Sequence, residues 1–131
     1  MAGPVSTAQL ALLDRMFAAF NRHDAAGVVA TMTDDVVFDA AAGADVHGTR
    51  HTGRAAVQEA FAKLFRDQPD VRWDDVRHLP GEGFAVTTWT LRATRPDGSR
   101  IEVEGIDLFT LRDGLVSHKQ AFRKERPPLR P

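Results

Sequence analysis

The sequence predicts an α+β domain: three N-terminal helices packed on a strongly curved, mixed but largely antiparallel sheet that forms a cone with an internal pocket. Three observations predict it. Apolar residues recur at helical period in the first half of the chain; everything after Pro69 reads as alternating strand or turn; and the strand-like runs are separated by Gly-containing turns at Pro80-Gly81-Glu82-Gly83, Pro96-Asp97-Gly98 and Asp113-Gly114. A sheet that curls around its own helices encloses a hollow, lined by whichever residues face inward.

Ser6-Thr7-Ala8-Gln9 has capping-box spacing, and behind it Leu10, Leu13, Met16, Phe17 and Phe20 form one stripe, which predicts a helix to about His23. Asp24 suits the N-cap of a short second helix over 25–32. Thr33-Asp34-Asp35 breaks it, 36–40 reads as a short strand, and 41–53, which holds His47 and His51, reads as a loop, a candidate lid over the cone mouth. A third helix is expected over 54–66, with Val57, Ala60, Phe61, Leu64 and Phe65 on one face. Strands are then expected over 71–79, 84–94, 99–112 and 115–124, with flexible tails at 1–6 and 125–131 of a single domain spanning 1–131.

Asp113-Gly114 between two alternating runs is a strong hairpin signal. Counting outward pairs Leu111 with Val116, Phe109 with His118, Asp107 with Gln120 and Gly105 with Phe122. One face then reads Val103, Gly105, Asp107, Phe109, Leu111, Val116, His118, Gln120, Phe122. In the preceding hairpin a three-residue loop over 96–98 pairs Arg92 with Glu102, Trp89 with Gly105 and Thr87 with Asp107. A four-residue loop would set Leu91 against Glu102, so the shorter loop fits the pattern better.

The chain has 131 residues, 43% of them hydrophobic and 27% charged, with 17 basic against 18 acidic residues and no cysteine. One domain follows. Disulfides, thiol catalysis and Cys-ligated zinc are excluded. No basic stripe points to nucleic acid, no apolar run reaches the ~20 residues of a membrane span, and the first residues lack the pattern of a signal peptide. A cytoplasmic location is the default expectation. No phosphate loop, dinucleotide fingerprint or serine elbow is present, so no cofactor is expected. His47 and His51 have the i, i+4 spacing of helical metal ligands, but Gly48 and the loop composition argue against a helix, so no metal is expected either.

Residues 8–124 resemble the nuclear transport factor 2-like superfamily, and within it the SnoaL-like polyketide cyclases and steroid delta-isomerases. The resemblance is carried by Phe20-Asn21-Arg22-His23-Asp24, Thr33-Asp34-Asp35-Val36-Val37-Phe38, His51-Thr52-Gly53-Arg54-Ala55-Ala56-Val57, Gly105-Ile106-Asp107-Leu108-Phe109 and Asp113-Gly114-Leu115-Val116. It implies the cone fold and a homodimer through the outer sheet face, where Arg92, Glu102 and Glu104 fall. The isomerase site transfers only in part. Asp107 matches the aspartic acid that donates to the substrate oxyanion, which an apolar site keeps neutral. The tyrosine of that site falls at Met16 and its general base at Ala40, with Asp39 beside it pointing to the opposite face.

The expectation is therefore a cofactor-independent acid–base enzyme of isomerase, cyclase or epoxide-opening type, acting on a small hydrophobic polycyclic, polyketide- or terpenoid-like molecule. Asp107 and His118 are the candidate catalytic pair, because a carboxylate facing an apolar interior must be paired or neutralised. Met16, Phe17, Phe20, Phe38, Ala40, Phe61, Thr87, Trp89, Phe109 and Gln120 are the candidate substrate-binding residues. The alternative is a non-catalytic small-molecule-binding or dimerisation module of the same fold.

Overall fold

A computed structural model describes residues 4–130, with side chains from residue 7 onward. Its elements run α1 (Pro4–Asn21), α2 (Ala25–Val29), β1 (Met32–Asp45), β2 (Gly48–Thr52), α3 (Arg54–Asp67), β3 (Arg72–Pro80), β4 (Phe84–Thr94), β5 (Arg100–Arg112) and β6 (Leu115–Arg123). The six strands form one open sheet in the order β2-β1-β6-β5-β4-β3. Only the β1–β6 contact is parallel. This is the predicted α+β architecture, three helices on a mixed and largely antiparallel sheet.

Helix α1 begins at Pro4, where a missing N–H costs nothing, rather than behind Ser6. Its stripe buries Leu13, Met16, Phe17 and Phe20, with Leu12 and Ala19 beside them, while Leu10 is only partly buried. Each large apolar side chain so buried contributes ~1.5–3 kcal/mol. Beyond it, Asn21 clasps β3, donating from Nδ2 to the Trp73 carbonyl (3.0 Å) and accepting from the Trp73 N–H (2.9 Å). His23 takes a left-handed backbone (φ 57°), stacks on Phe65 and bonds the Val71 carbonyl at 2.7 Å. Asp24 caps α2 by accepting from the Gly27 N–H. The Asn21-Arg22-His23-Asp24 run is thus a structural joint between the helices and the sheet.

Two expectations change here. Residues 41–53 are not a free loop: β1 extends to Asp45, turns back, and pairs with β2, with Phe38 opposite His51 and Ala40 opposite Thr49. Alanine and glycine in 40–43 carry little intrinsic strand preference, so the neighbouring strand decides the conformation. At the other end, the segment expected to be a tail folds back onto β5, where Leu129 and Arg100 exchange two backbone hydrogen bonds (2.7 and 2.8 Å). Residues 1–3 and 131 of the expected tails lie outside the described residues.

The β4–β5 register is as read from charge and size: Arg92 opposes Glu102, Trp89 opposes Gly105 and Thr87 opposes Asp107. Gly105 is required. A Cβ there would stand 2.5 Å from both the Phe122 carbonyl oxygen and the Trp89 ring. The β5–β6 register is different from the expectation beyond two pairs. Asp113 (φ 54°) and Gly114 (φ 75°) close the tight turn, and Leu111 faces Val116. Ser117 is then an extra residue in β6, so Thr110 faces His118, Phe109 faces Lys119 and Asp107 faces Ala121. A one-residue bulge turns every later side chain of β6 to the other face.

Candidate active site

Alternation along β5 turns Asp107 inward between Gly105 and Phe109, where it is fully buried. The bulge at Ser117 brings Lys119 to the same face, also buried. The Lys119 ammonium donates to Asp107 Oδ1 at 2.6 Å, and the Trp89 indole N–H donates to Oδ2 at 3.0 Å. Both carboxylate oxygens are therefore satisfied, as burial of an ion pair demands. Around the ammonium stand the rings of Phe38, Phe20, Phe61 and Phe109, at 4.9, 5.4, 5.8 and 5.9 Å from ring centre to nitrogen. Desolvated cation–π contacts of this kind are individually worth up to ~2 kcal/mol. Of the three N–H donors of Lys119, Asp107 takes one; no oxygen of the described residues accepts from the other two.

A cavity of about 360 Å³ opens beside this pair, between α3 and the inner face of the sheet. Phe38, Ala40, Phe61, Trp73, Trp89 and Leu91 wall it, and Lys119, His51 and Arg123 bring polar groups to it. Strands β2, β1 and β6 lie side by side and place His51, Phe38 and Lys119 in one row. At ~4.8 Å per strand, the His51 and Lys119 backbones stand ~10 Å apart. The His51 ring stacks on Phe38 with centroids 5.6 Å apart.

Of the residues expected to touch a ligand, Phe38, Ala40, Phe61 and Trp89 line the cavity. Met16, Phe17, Phe20, Phe109 and Thr87 pack as buried core behind it. Asp107 reaches the cavity only through Lys119 and Trp89. His118 and Gln120 are corrections: the bulge puts both on the outer face, so neither can act on Asp107. His78 tucks in beside Phe17, with Nδ1 2.9 Å from Thr87 Oγ1 and Nε2 3.1 Å from Asp14. Burial holds its imidazole below the ordinary histidine pKa, against the opposite pull of Asp14.

The outer face has its own charged cluster. Asp39, pointing away from the cavity as alternation expects, accepts two hydrogen bonds from Arg50 (2.7 and 3.0 Å) and pairs with His118 Nε2 at 2.7 Å. Arg50 chiefly, and His118 after it, hold the Asp39 carboxyl at about 2 despite the opposing effect of burial. The same face carries an open hollow of about 760 Å³, bordered by Thr88, Glu104, Ile106 and a half-exposed Phe122.

Several cavity residues escaped the sequence reading, Lys119 and His51 the most consequential. Lys119 was hidden by the bulge, although a buried Asp107 calls for a cation and Lys119 is one residue from its expected partner. His51 was assigned to a loop, although Thr49-Arg50-His51-Thr52 alternates with β-branched residues at strand spacing. Among the described residues no group of three or more His, Asp or Glu side chains is placed to hold a metal ion, and no helix is long and apolar enough to cross a membrane.

The sequence profile of the SnoaL-like domain family matches residues 13–119. No curated protein matches the sequence. Among solved structures, the Bal32a protein from a soil-derived mobile gene cassette superposes with a TM-score of 0.81 at 17% identity, covering 92% of each chain. A candidate polyketide cyclase from Xanthomonas campestris pv. campestris gives 0.77 at 20% identity, over 88% of this chain and 90% of that one. TerC, co-crystallised with polyporic acid, gives 0.75 at 18% identity, over 89% and 92%. At these identities the likeness is one of fold.

Proposed function

The chain belongs to the SnoaL-like domain family, and from that premise we propose that it is a cofactor-independent acid–base enzyme for a small hydrophobic ring ketone bound in the cavity beside Lys119. One observation carries this reading: a buried ammonium, anchored by a single carboxylate, keeps two N–H donors without an acceptor at the wall of an apolar cavity. A carbonyl oxygen placed there accepts from Lys119. His51, in the same row on the far side of Phe38, is the base. It takes a proton from the carbon next to the carbonyl, and the C–H electron pair moves onto the oxygen as an enolate, stabilised by the ammonium. Returning the proton to another carbon isomerises the substrate; attack of the enolate carbon on a second carbonyl closes a ring. Asp107 is a positioning residue that anchors and aims Lys119.

Deuterium exchange into 2-tetralone in D₂O, followed by the loss of its C1 proton signal in NMR, tests the shared first step. Exchange faster than in buffer is expected, falling ~10²-fold or more in His51→Gln. A rate no higher than that of buffer would remove the enzyme reading. The second reading, a ligand-binding module, is favoured by the complete satisfaction of Asp107, which gives the pair a structural purpose without catalysis.

We extend the proposal to a homodimer through the outer sheet face. The half-exposed Phe122 opposite Ile106 in a broad hollow of that face supports it, because contiguous apolar side chains in a concavity suit a partner surface. A dimeric mass is expected in light scattering, and a monomer at micromolar concentration would contradict it.

A further inference from the structure

Past Lys119, the inner face of β6 continues through Ala121 to Arg123, both of which line the cavity. Four residue steps along the strand separate the two cations, ~13 Å of backbone. Arg123 also borders the outer hollow, so it stands at the rim while Lys119 stands inside. Its guanidinium has no hydrogen bond or ion pair among the described residues. Two of the nearby acids are engaged elsewhere, Glu102 with Arg92 at 2.9 Å and Asp67 with Lys63 at 2.5 Å. Arg123 is exposed to solvent at this rim. A guanidinium without a carboxylate partner at the rim of an apolar cavity is free to receive an anion, and its planar fork fits a carboxylate best.

We infer that the ring ketone is an anionic one, carrying a carboxylate that pairs with Arg123 at the rim while its rings lie along Trp89 and Phe38 and its ketone reaches Lys119. The inference rests on the reading of the cavity as a ligand site. A single arginine above apolar walls suits one delocalised charge; a phosphate would call for several donors. At about 360 Å³ the cavity is at the small end of the ~300–1,000 Å³ usual for ligand sites, which fits a bicyclic or tricyclic body.

A matched pair of probes tests it: naphthalene-2-carboxylate and the neutral methyl 2-naphthyl ketone, titrated against the fluorescence of Trp73 and Trp89. In the unmodified protein the acid is expected to bind about tenfold tighter than the ketone. Arg123→Gln should bring that ratio to about one, and Arg123→Lys should keep part of it. Equal binding of the two probes by the unmodified protein overturns the anionic assignment alone. So does a ratio that survives Arg123→Gln, since the carboxylate would then sit on Lys119. Failure of both probes to bind overturns the cavity reading and this inference with it.

Discussion

Lys119→Met is expected to destabilise the fold by about 3–5 kcal/mol, because it strands the Asp107 carboxylate in an apolar interior. Methionine fills nearly the volume of lysine, so the loss is electrostatic rather than a cavity effect. The double change Lys119→Met with Asp107→Leu should recover most of it, since removing both charges also removes the desolvation cost. Denaturant midpoints of the two single variants and the double variant give the coupling directly. Additive losses, with no recovery in the double variant, would show that the pair matters through shape and not through charge. If the double variant folds well and has no exchange activity toward 2-tetralone, the ion pair serves chemistry over stability.

Acid is expected to remove about 2 kcal/mol of stability through Asp39 alone, between about pH 4 and about pH 2. The carboxyl sits at about 2 in the fold and near ~3.9 in the unfolded chain. Its contribution is therefore complete above the unfolded value and disappears as the pH falls through the folded one. The side chain is only 3% exposed, so solvent screens its ion pairs little. Asp39→Asn should be less stable than the unmodified protein at neutral pH and should match it near pH 2. Parallel pH profiles for the two would mean that Arg50 and His118 do not hold the carboxylate in solution. The cluster lies on the outer face, so the variant should leave probe binding in the cavity intact.

Much of this molecule is legible in its residues because much of it is decided locally. The stripe of α1, the cap at Asp24 and the left-handed Asp113-Gly114 turn depend on residues within a few positions of one another. The β4–β5 register was legible too, since Arg92 against Glu102 and Trp89 over Gly105 leave one sensible alignment. Phe38, Ala40, Phe61 and Trp89, named as candidate ligand contacts from pattern, register and resemblance together, line the cavity. The far half of β1 was not legible, because a segment rich in alanine and glycine becomes a strand only when a neighbour supplies its hydrogen bonds.

Sequence by itself thus determined the fold class, the inward aspartate and the wall of rings around it. Tertiary structure decided which cation meets that aspartate. Ser117 has no marker as a bulge: its hydroxyl donates to the Thr110 carbonyl (3.2 Å), and Val116 is fixed against the Thr31 carbonyl from the neighbouring loop (2.9 Å). Those contacts span distant parts of the chain, and together they move β6 by one residue. Because side chains alternate at every step, that single residue exchanges His118 and Gln120 for Lys119 and Ala121 on the inner face, and with them the chemistry available to the cavity.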